Sequence, residues 1–365
     1  MTSINPSKPF PSKHRRRRIN LNPEALVHTA PLQSVSALPL LVQPTLADLS
    51  LTEWVSHHRD TITPWLHHHG GILFRGFQLQ GVDDFGAFIR AIAHPPMPYT
   101  YRSTPRTQVQ GHVYTSTEYP ADRTIPLHNE IAYARQWPLR IAFYCLQPAD
   151  SGGETPIADS RRILARIDPA VRSRFQSQGV LYIRNYGSGL DLPWQEVFQT
   201  QDRQVVEAYC RQAQIEVTWY GGDQLQTRQI CQAIAAHPHT EESVWFNQAH
   251  LFNIHALEPA VRENLLASLA ADRVPRNTYY GDGTEIPPSV LEMIHQAYAA
   301  ETITFLWQAG DVLLLDNMLA THGRLPFSGA RRVLAGMGDP WESHDLGETV
   351  SAIAASPSAA VSKHA

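Results

Sequence analysis

The residues with the clearest chemistry lie in Ile125-Pro126-Leu127-His128-Asn129-Glu130. In an extended segment, side chains two positions apart point to one side. His128 and Glu130 can therefore offer an imidazole nitrogen and a carboxylate oxygen to the same ion. A lone His-x-Glu arises by chance in many chains and needs a third ligand. His322, in Thr321-His322-Gly323-Arg324, is the best candidate, because it follows the strand-like run 311–315. Two histidines and one carboxylate form the facial ligand set of non-haem Fe(II) oxygenases, which leaves positions open for a bidentate 2-oxo acid and dioxygen. A dicarboxylate bound through its keto-acid end needs a partner for its far carboxylate. The planar fork of arginine matches one. Arg331-Arg332 opens a predicted strand on which only one of the two can face inward. Thr155, in Gly152-Gly153-Glu154-Thr155, offers a hydroxyl, although only a fold can bring it there.

Other polar groups have plainer readings beside the chemical one. His67-His68-His69 reads as an exposed helix end, since three contiguous imidazoles cannot face one ion on regular structure. His237 and His239 flank a proline in a loop, and His112, His250 and His255 read as packed or surface histidines. Thr115 precedes the Ser116-Thr117-Glu118 stretch and is a candidate substrate contact. Asn247 and Gln248 follow Trp245-Phe246 on a predicted strand; buried amides need partners, so they either line a pocket or bond to neighbouring loops. Arg324, two residues past His322, either meets a substrate carboxylate or pairs with Asp316. Tyr280-Gly281-Asp282-Gly283 is first of all a turn.

The elements that must carry these residues are strands with helices outside them. A strand is expected over 71–77, followed by an amphipathic helix through Phe85, Phe88, Ile89 and Ile92 with Asp83 and Asp84 in its first turn. Further helices are expected over 160–167, 260–269 and 289–300. Strands are expected over 140–146, 302–307, 311–315 and 332–337, with a tight turn at Gly310-Asp311. The 27 prolines and 21 glycines argue against a helical bundle.

Composition narrows the function further. The 365 residues, 43% of them apolar, can build a large core. The 30 basic and 34 acidic residues leave a net charge of −4, which gives no electrostatic case for nucleic acid or an anionic membrane. No apolar run is long enough to span a bilayer, and residues 1–18 lack the apolar stretch of a secretory leader. The three cysteines, outside any Cys-x-x-Cys spacing, agree with a reducing cytoplasm. Residues 1–31, with the run Arg15–Arg18, are expected to be a disordered tail, as is the Ala/Ser-rich stretch 346–365, around one domain at 32–345.

Blocks along 69–337 carry a resemblance: HGGILFRGF (69–77), VYTSTEYPADRTIPLHNE (113–130), WPLRIAFYCLQPADSGGETPIADSR (137–161), VWFNQAHLF (244–252), YYGDG (279–283) and WQAGDVLLLDNMLATHGRLPFSGARRVLAGM (307–337). In this order they are similar to the TauD/TfdA family of Fe(II)- and 2-oxoglutarate-dependent dioxygenases, nearest the SyrP-like β-hydroxylases of nonribosomal peptide biosynthesis. The resemblance implies a mainly β fold with outer helices, a clavaminate-synthase-like double-stranded β-helix or jelly roll. It implies His128, Glu130 and His322 as iron ligands, and Thr155 with Arg332, or Arg331, on the far carboxylate of 2-oxoglutarate; Arg332 is the preferred one. A carboxylate at Glu130, where related halogenases have a small residue, argues for hydroxylation or another oxygen-derived outcome. The implied reaction spends 2-oxoglutarate and dioxygen to hydroxylate the β-carbon of an amino acid, free or tethered to a peptidyl carrier protein.

The competing readings differ in chemistry. A zinc deaminase needs a downstream Pro-Cys-x-x-Cys, and a zincin needs His-Glu-x-x-His; neither is present. Desaturation, cyclisation or epoxidation would use the same ligands. A non-catalytic jelly-roll binding protein has no need of the triad, Thr155 and an arginine together.

Overall fold

The computed structural model describes residues 26–343 apart from 35, 100, 102, 105 and 118. Its centre is an eight-stranded sheet in the order Val27–Gln33, Ser36–Pro44, Gly71–Phe74, Val312–Asp316, Gln136–Gln147, Arg332–Glu342, Val113–Thr115 and Gln108–Gln110. Only the pair Ser36–Pro44 and Gly71–Phe74 runs parallel; the other neighbours are antiparallel. A three-stranded sheet, Ile125–His128, Ala320–Arg324 and Ile157–Asp159, and a four-stranded sheet centred on Val180–Tyr186 complete the main β framework. The architecture is mainly β with helices outside it.

Period-two alternation sorts the central strands onto two cores. Val312, Leu314, Ala142, Tyr144 and Leu334 pack against the helices Leu51–His57, Arg59–His69 and Gly81–Ile92. Leu313, Leu315, Ile141, Phe143, Val333, Ala335 and Met337 face the other way, into the core shared with the three-stranded sheet. Both faces are covered, so the run Val312–Asp316 is wholly buried, as the near-continuous apolar sequence of such strands requires. Each of its leucines contributes roughly 1.5–3 kcal/mol by leaving water.

Most expected elements are present, with shifted ends. The helix Gly81–Ile92 buries Phe85, Phe88, Ile89 and Ile92. The helix Arg59–His69 does end at the histidine triple, capped by Gly70 at φ 73°. Two expectations fail. The stretch 302–307 is not a strand, because beyond one bridge from Ile303 to Ile157 it pairs with no other strand among the described residues; the Thr304 and Leu306 carbonyls accept instead from the side chains of Gln33 and Arg75. Phe305 and Trp307 are nevertheless buried as a strand's inward residues would be. The tail expected at 1–31 also runs too far, since Val27–Gln33 is an edge strand paired with Ser36–Pro44. Residues 1–25, with the arginine run, and 344–365 lie outside the described residues. Among the described residues no helix is long and apolar enough to cross a membrane.

Candidate metal centre

The three-stranded sheet brings the distant ligands together. In its antiparallel register His322 lies opposite His128 on one side and Ile157 on the other. The two imidazole rings have centroids 4.5 Å apart, and Phe143, from the facing sheet, lies 4.9 Å from the His322 ring. Glu130 sits just beyond the strand end. One ligand atom from each of His128, Glu130 and His322 lies within 4.8 Å of the others. Tertiary structure thus brings together all three residues that the sequence singled out.

The donors suit a divalent cation. His128 donates Nδ1–H to the Pro126 carbonyl at 2.8 Å, which fixes the tautomer and turns the Nε2 lone pair toward its neighbours. Burial and the His322 ring outweigh the attraction of Glu130 and pull the His128 pKa down to about 4, so the imidazole is neutral at ordinary pH. Burial likewise lowers the pKa of His322, against the opposing pull of Glu130. Both His322 nitrogens are buried without a hydrogen-bond partner among the described residues, and its Nε2 stands 3.7 Å from Glu130 Oε2, too far for a hydrogen bond. An orphaned buried imidazole is costly unless something binds it, and a metal ion would satisfy it. Burial pushes the Glu130 carboxyl up, but the Arg106 guanidinium and the two imidazoles outweigh it and hold the group well below the ordinary carboxylate range.

The segment carrying Glu130 is held by polar side chains that sequence reasoning missed. Asn317 accepts the Glu130 N–H at 2.7 Å and donates to the carbonyls of Glu130 and Pro138, both at 2.9 Å. Asn129 donates to the Asn317 carbonyl at 2.6 Å and to Ser160 Oγ at 3.1 Å. Arg106 Nη2 donates to Glu130 Oε2 at 2.6 Å, with both side chains buried. The one signal available was an Asp-Asn pair ending an apolar run, where buried polar groups must find partners. Nothing in the sequence paired Arg106 with Glu130.

Of the arginine pair, Arg331 faces inward. Arg331 is half-buried against Gly153, whereas Arg332 is exposed; the strand register shifts between Arg332 and Val333, so alternation does not carry across that point. The preference for Arg332 is therefore corrected. Arg331 Nε donates to the Gly153 carbonyl at 3.1 Å, two residues from buried Thr155, whose Oγ1 accepts the Trp307 indole N–H at 3.0 Å. Burial and Arg324 pull the Arg331 pKa down to about 10, and among the described residues it forms no ion pair. That is the setting of a cation awaiting an anionic ligand. The close approach needs glycine. Gly153 has φ 75°, and a Cβ there would fall 3.0 Å from Arg331 Cδ.

The expected substrate contacts fare less well. Among the described residues Arg324 pairs with no carboxylate, Asp316 included; it donates to the carbonyls of Tyr119, Pro120 and Arg123 and pins that loop. Asn247 donates to the Ala233 carbonyl and accepts from the Ala249 N–H. Gln248 donates to the Asn129 carbonyl at 2.7 Å, which braces the ligand-bearing segment. These two amides take the loop-bonding alternative. Thr115 Oγ1, at the end of the strand Val113–Thr115, accepts the Thr107 N–H at 3.0 Å.

A second cluster, His67, His237 and Asp316, also gathers ligand atoms within 4.8 Å. Its donors are already in use. His237 Nδ1 accepts the N–H groups of His239 and Thr240, so the proton sits on Nε2 and is donated to Asp316 Oδ2 at 3.0 Å. Asp316 Oδ1 accepts from the Met318 and Leu319 N–H groups. A metal at His237 would require an imidazolate, so the trio is a strut between loop and sheet.

Known proteins share this fold. The model of the TauD/TfdA family, described as taurine catabolism dioxygenase TauD, matches residues 34–337. The dapdiamide synthesis protein DdaC of Enterobacter agglomerans is 43% identical over 310 residues, covering 85% of this chain and 94% of that protein. A clavaminate synthase-like protein of Arabidopsis thaliana is 30% identical over 347 residues, covering 91% and 94%. The crystal structure of PvcB from Pseudomonas aeruginosa superposes with a TM-score of 0.51 at 15% identity, covering 89% of this chain and 94% of that one.

The chain belongs to the TauD/TfdA family of dioxygenases. It is an enzyme of the Fe(II)- and 2-oxoglutarate-dependent kind, with dioxygen as the oxidant.

Proposed function

We propose that His128, Glu130 and His322 hold the iron, that Arg331 and Thr155 hold the far carboxylate of 2-oxoglutarate, and that the enzyme hydroxylates an unactivated C–H of a small, amino-acid-like substrate in specialised-metabolite biosynthesis. The finer reading is a SyrP-like β-carbon hydroxylase on a double-stranded β-helix, acting on an amino acid that is free or carrier-tethered. The observation that carries the reading is the strand register that sets His322 opposite His128. DdaC, named for dapdiamide synthesis, supports a role in specialised metabolism.

When bound, Fe(II) supplies dioxygen activation coupled to decarboxylation of 2-oxoglutarate to succinate. The protein does the rest. His128 keeps its proton on Nδ1, bonded to Pro126, and presents Nε2. Glu130 supplies negative charge, and Arg106 together with Asn317 fixes its direction. Arg331 offers a half-buried guanidinium and Thr155 a hydroxyl to the dicarboxylate, so the co-substrate is oriented before the oxidant forms. Phe143 and the surrounding apolar core exclude water from the imidazoles.

The test is iron-dependent succinate formation from 2-oxoglutarate with candidate amino acids, read beside product mass. We expect activity in the wild type and none above background in His322→Ala or Glu130→Ala. Undiminished turnover in either variant would remove that residue from the ligand set. A product that gains one oxygen supports hydroxylation, whereas loss of two hydrogens would mean desaturation or cyclisation.

A further inference from the structure

We propose that Arg106 is the positioning residue for the carboxylate arm of the metal centre. By holding Glu130 Oε2, the oxygen that also faces His322 Nε2 at 3.7 Å, it fixes the rotation of the carboxylate and so limits Glu130 to one-oxygen ligation. The inference rests on the assignment of His128, Glu130 and His322 as ligands. The carboxylate is fixed at both ends. Asn317 grips the Glu130 backbone on its N–H and its carbonyl, while Arg106 Nη2 holds Oε2 at 2.6 Å. Arg106 is itself fixed, with its guanidinium 4.6 Å from the centre of the Tyr99 ring, an attractive cation–π distance. The two side chains are 2% and 4% exposed, so water does not compete for the carboxylate.

Denticity matters because coordination positions are few. On an octahedral ion, two imidazoles and one carboxylate oxygen leave three positions, enough for a chelating keto acid and dioxygen. A second carboxylate oxygen would leave two, and the keto acid alone would fill them. An unanchored glutamate can swing to offer both oxygens. An arginine, charged at every working pH, holds the carboxylate in one rotation and so opposes that swing.

The experiment loads the full-length protein with Co(II) in place of iron. It measures the infrared carboxylate stretches of Glu130 by difference, and 2-oxoglutarate affinity by titration. The gap between antisymmetric and symmetric stretches narrows when a carboxylate goes from one-oxygen to two-oxygen ligation. We expect the wide gap in the wild type and in Arg106→Lys, which keeps a charged donor. In Arg106→Met we expect the narrow gap and 2-oxoglutarate binding weaker by about 10–100-fold, the usual cost of losing a group that orients a ligand. In a Glu130→Ala background, Arg106→Met should cause no further loss of 2-oxoglutarate binding. Should Arg106→Met not fold, Arg106→Gln, a neutral donor, carries the comparison. The proposal is overturned by an unchanged infrared gap and affinity in the neutral variant, or by an equal loss without Glu130. Co(II) binding that survives His322→Ala undiminished would instead overturn the ligand assignment itself.

Discussion

At the scale of single residues, the site is defined by which polar groups are left unsatisfied. His322 has two buried nitrogens without partners among the described residues. Arg331 is a half-buried cation that forms no ion pair among them. Each carries a desolvation cost that a ligand would offset. Arg324, which is buried, spends its donors on three carbonyls and so has little left for a substrate. This contrast yields a prediction for the arginine pair. Arg331→Ala should raise the KM for 2-oxoglutarate by at least roughly 10-fold, since losing a hydrogen bond to a charged group costs about 1.5–3 kcal/mol. Arg332→Ala, at an exposed position, should leave it unchanged. Steady-state titration of 2-oxoglutarate checks both; equal effects would reject the inward assignment.

At the scale of elements, the ligand-bearing segment holds its shape through side chains borrowed from the strand connection beyond Val312–Asp316. Asn317 replaces a missing stretch of sheet: it supplies one acceptor and two donors to backbone groups of Glu130 and Pro138. Asn317→Ala would leave three buried backbone groups without partners, at roughly 1–3 kcal/mol each. We expect a loss of stability of at least about 3 kcal/mol in urea unfolding, together with weakened metal binding. A loss within about 0.5 kcal/mol, typical of surface substitutions, would mean that water or rearrangement takes over its bonds.

At the scale of the whole molecule, burial governs the three cysteines. Cys145, Cys210 and Cys231 are free and buried in the core, and burial pushes each thiol up to about 12. The thiolate is the reactive form, and at pH 8 roughly one thiol in ten thousand would be ionised. Ellman's reagent should therefore titrate none of them in the native protein and all three in urea. Because these pKa values are raised by folding, the thiols' contribution to stability is complete below about pH 9 and is lost as pH rises toward 12. A melting temperature that stays flat through that alkaline window would contradict the assignment.

The same scale separates what sequence determined from what only the tertiary structure decided. Local pattern was enough for the amphipathic helix through Phe85, Phe88, Ile89 and Ile92, for the buried strand at Val312–Asp316, and for naming His128, Glu130 and His322, because periodicity and ligand chemistry are properties of neighbouring residues. The strand at Val27–Gln33 and the irregular run at 302–307 were not legible, because a strand exists only where another backbone stands ready to bond it. The choice between Arg331 and Arg332 was not legible either, because a register shift between Arg332 and Val333 breaks the strand alternation there. The convergence of His322 on His128, the hold of Arg106 on Glu130 and the brace of Asn317 were settled by antiparallel register and burial between segments far apart in the chain. No local pattern encodes those pairings, since their energies appear only when distant groups leave water together.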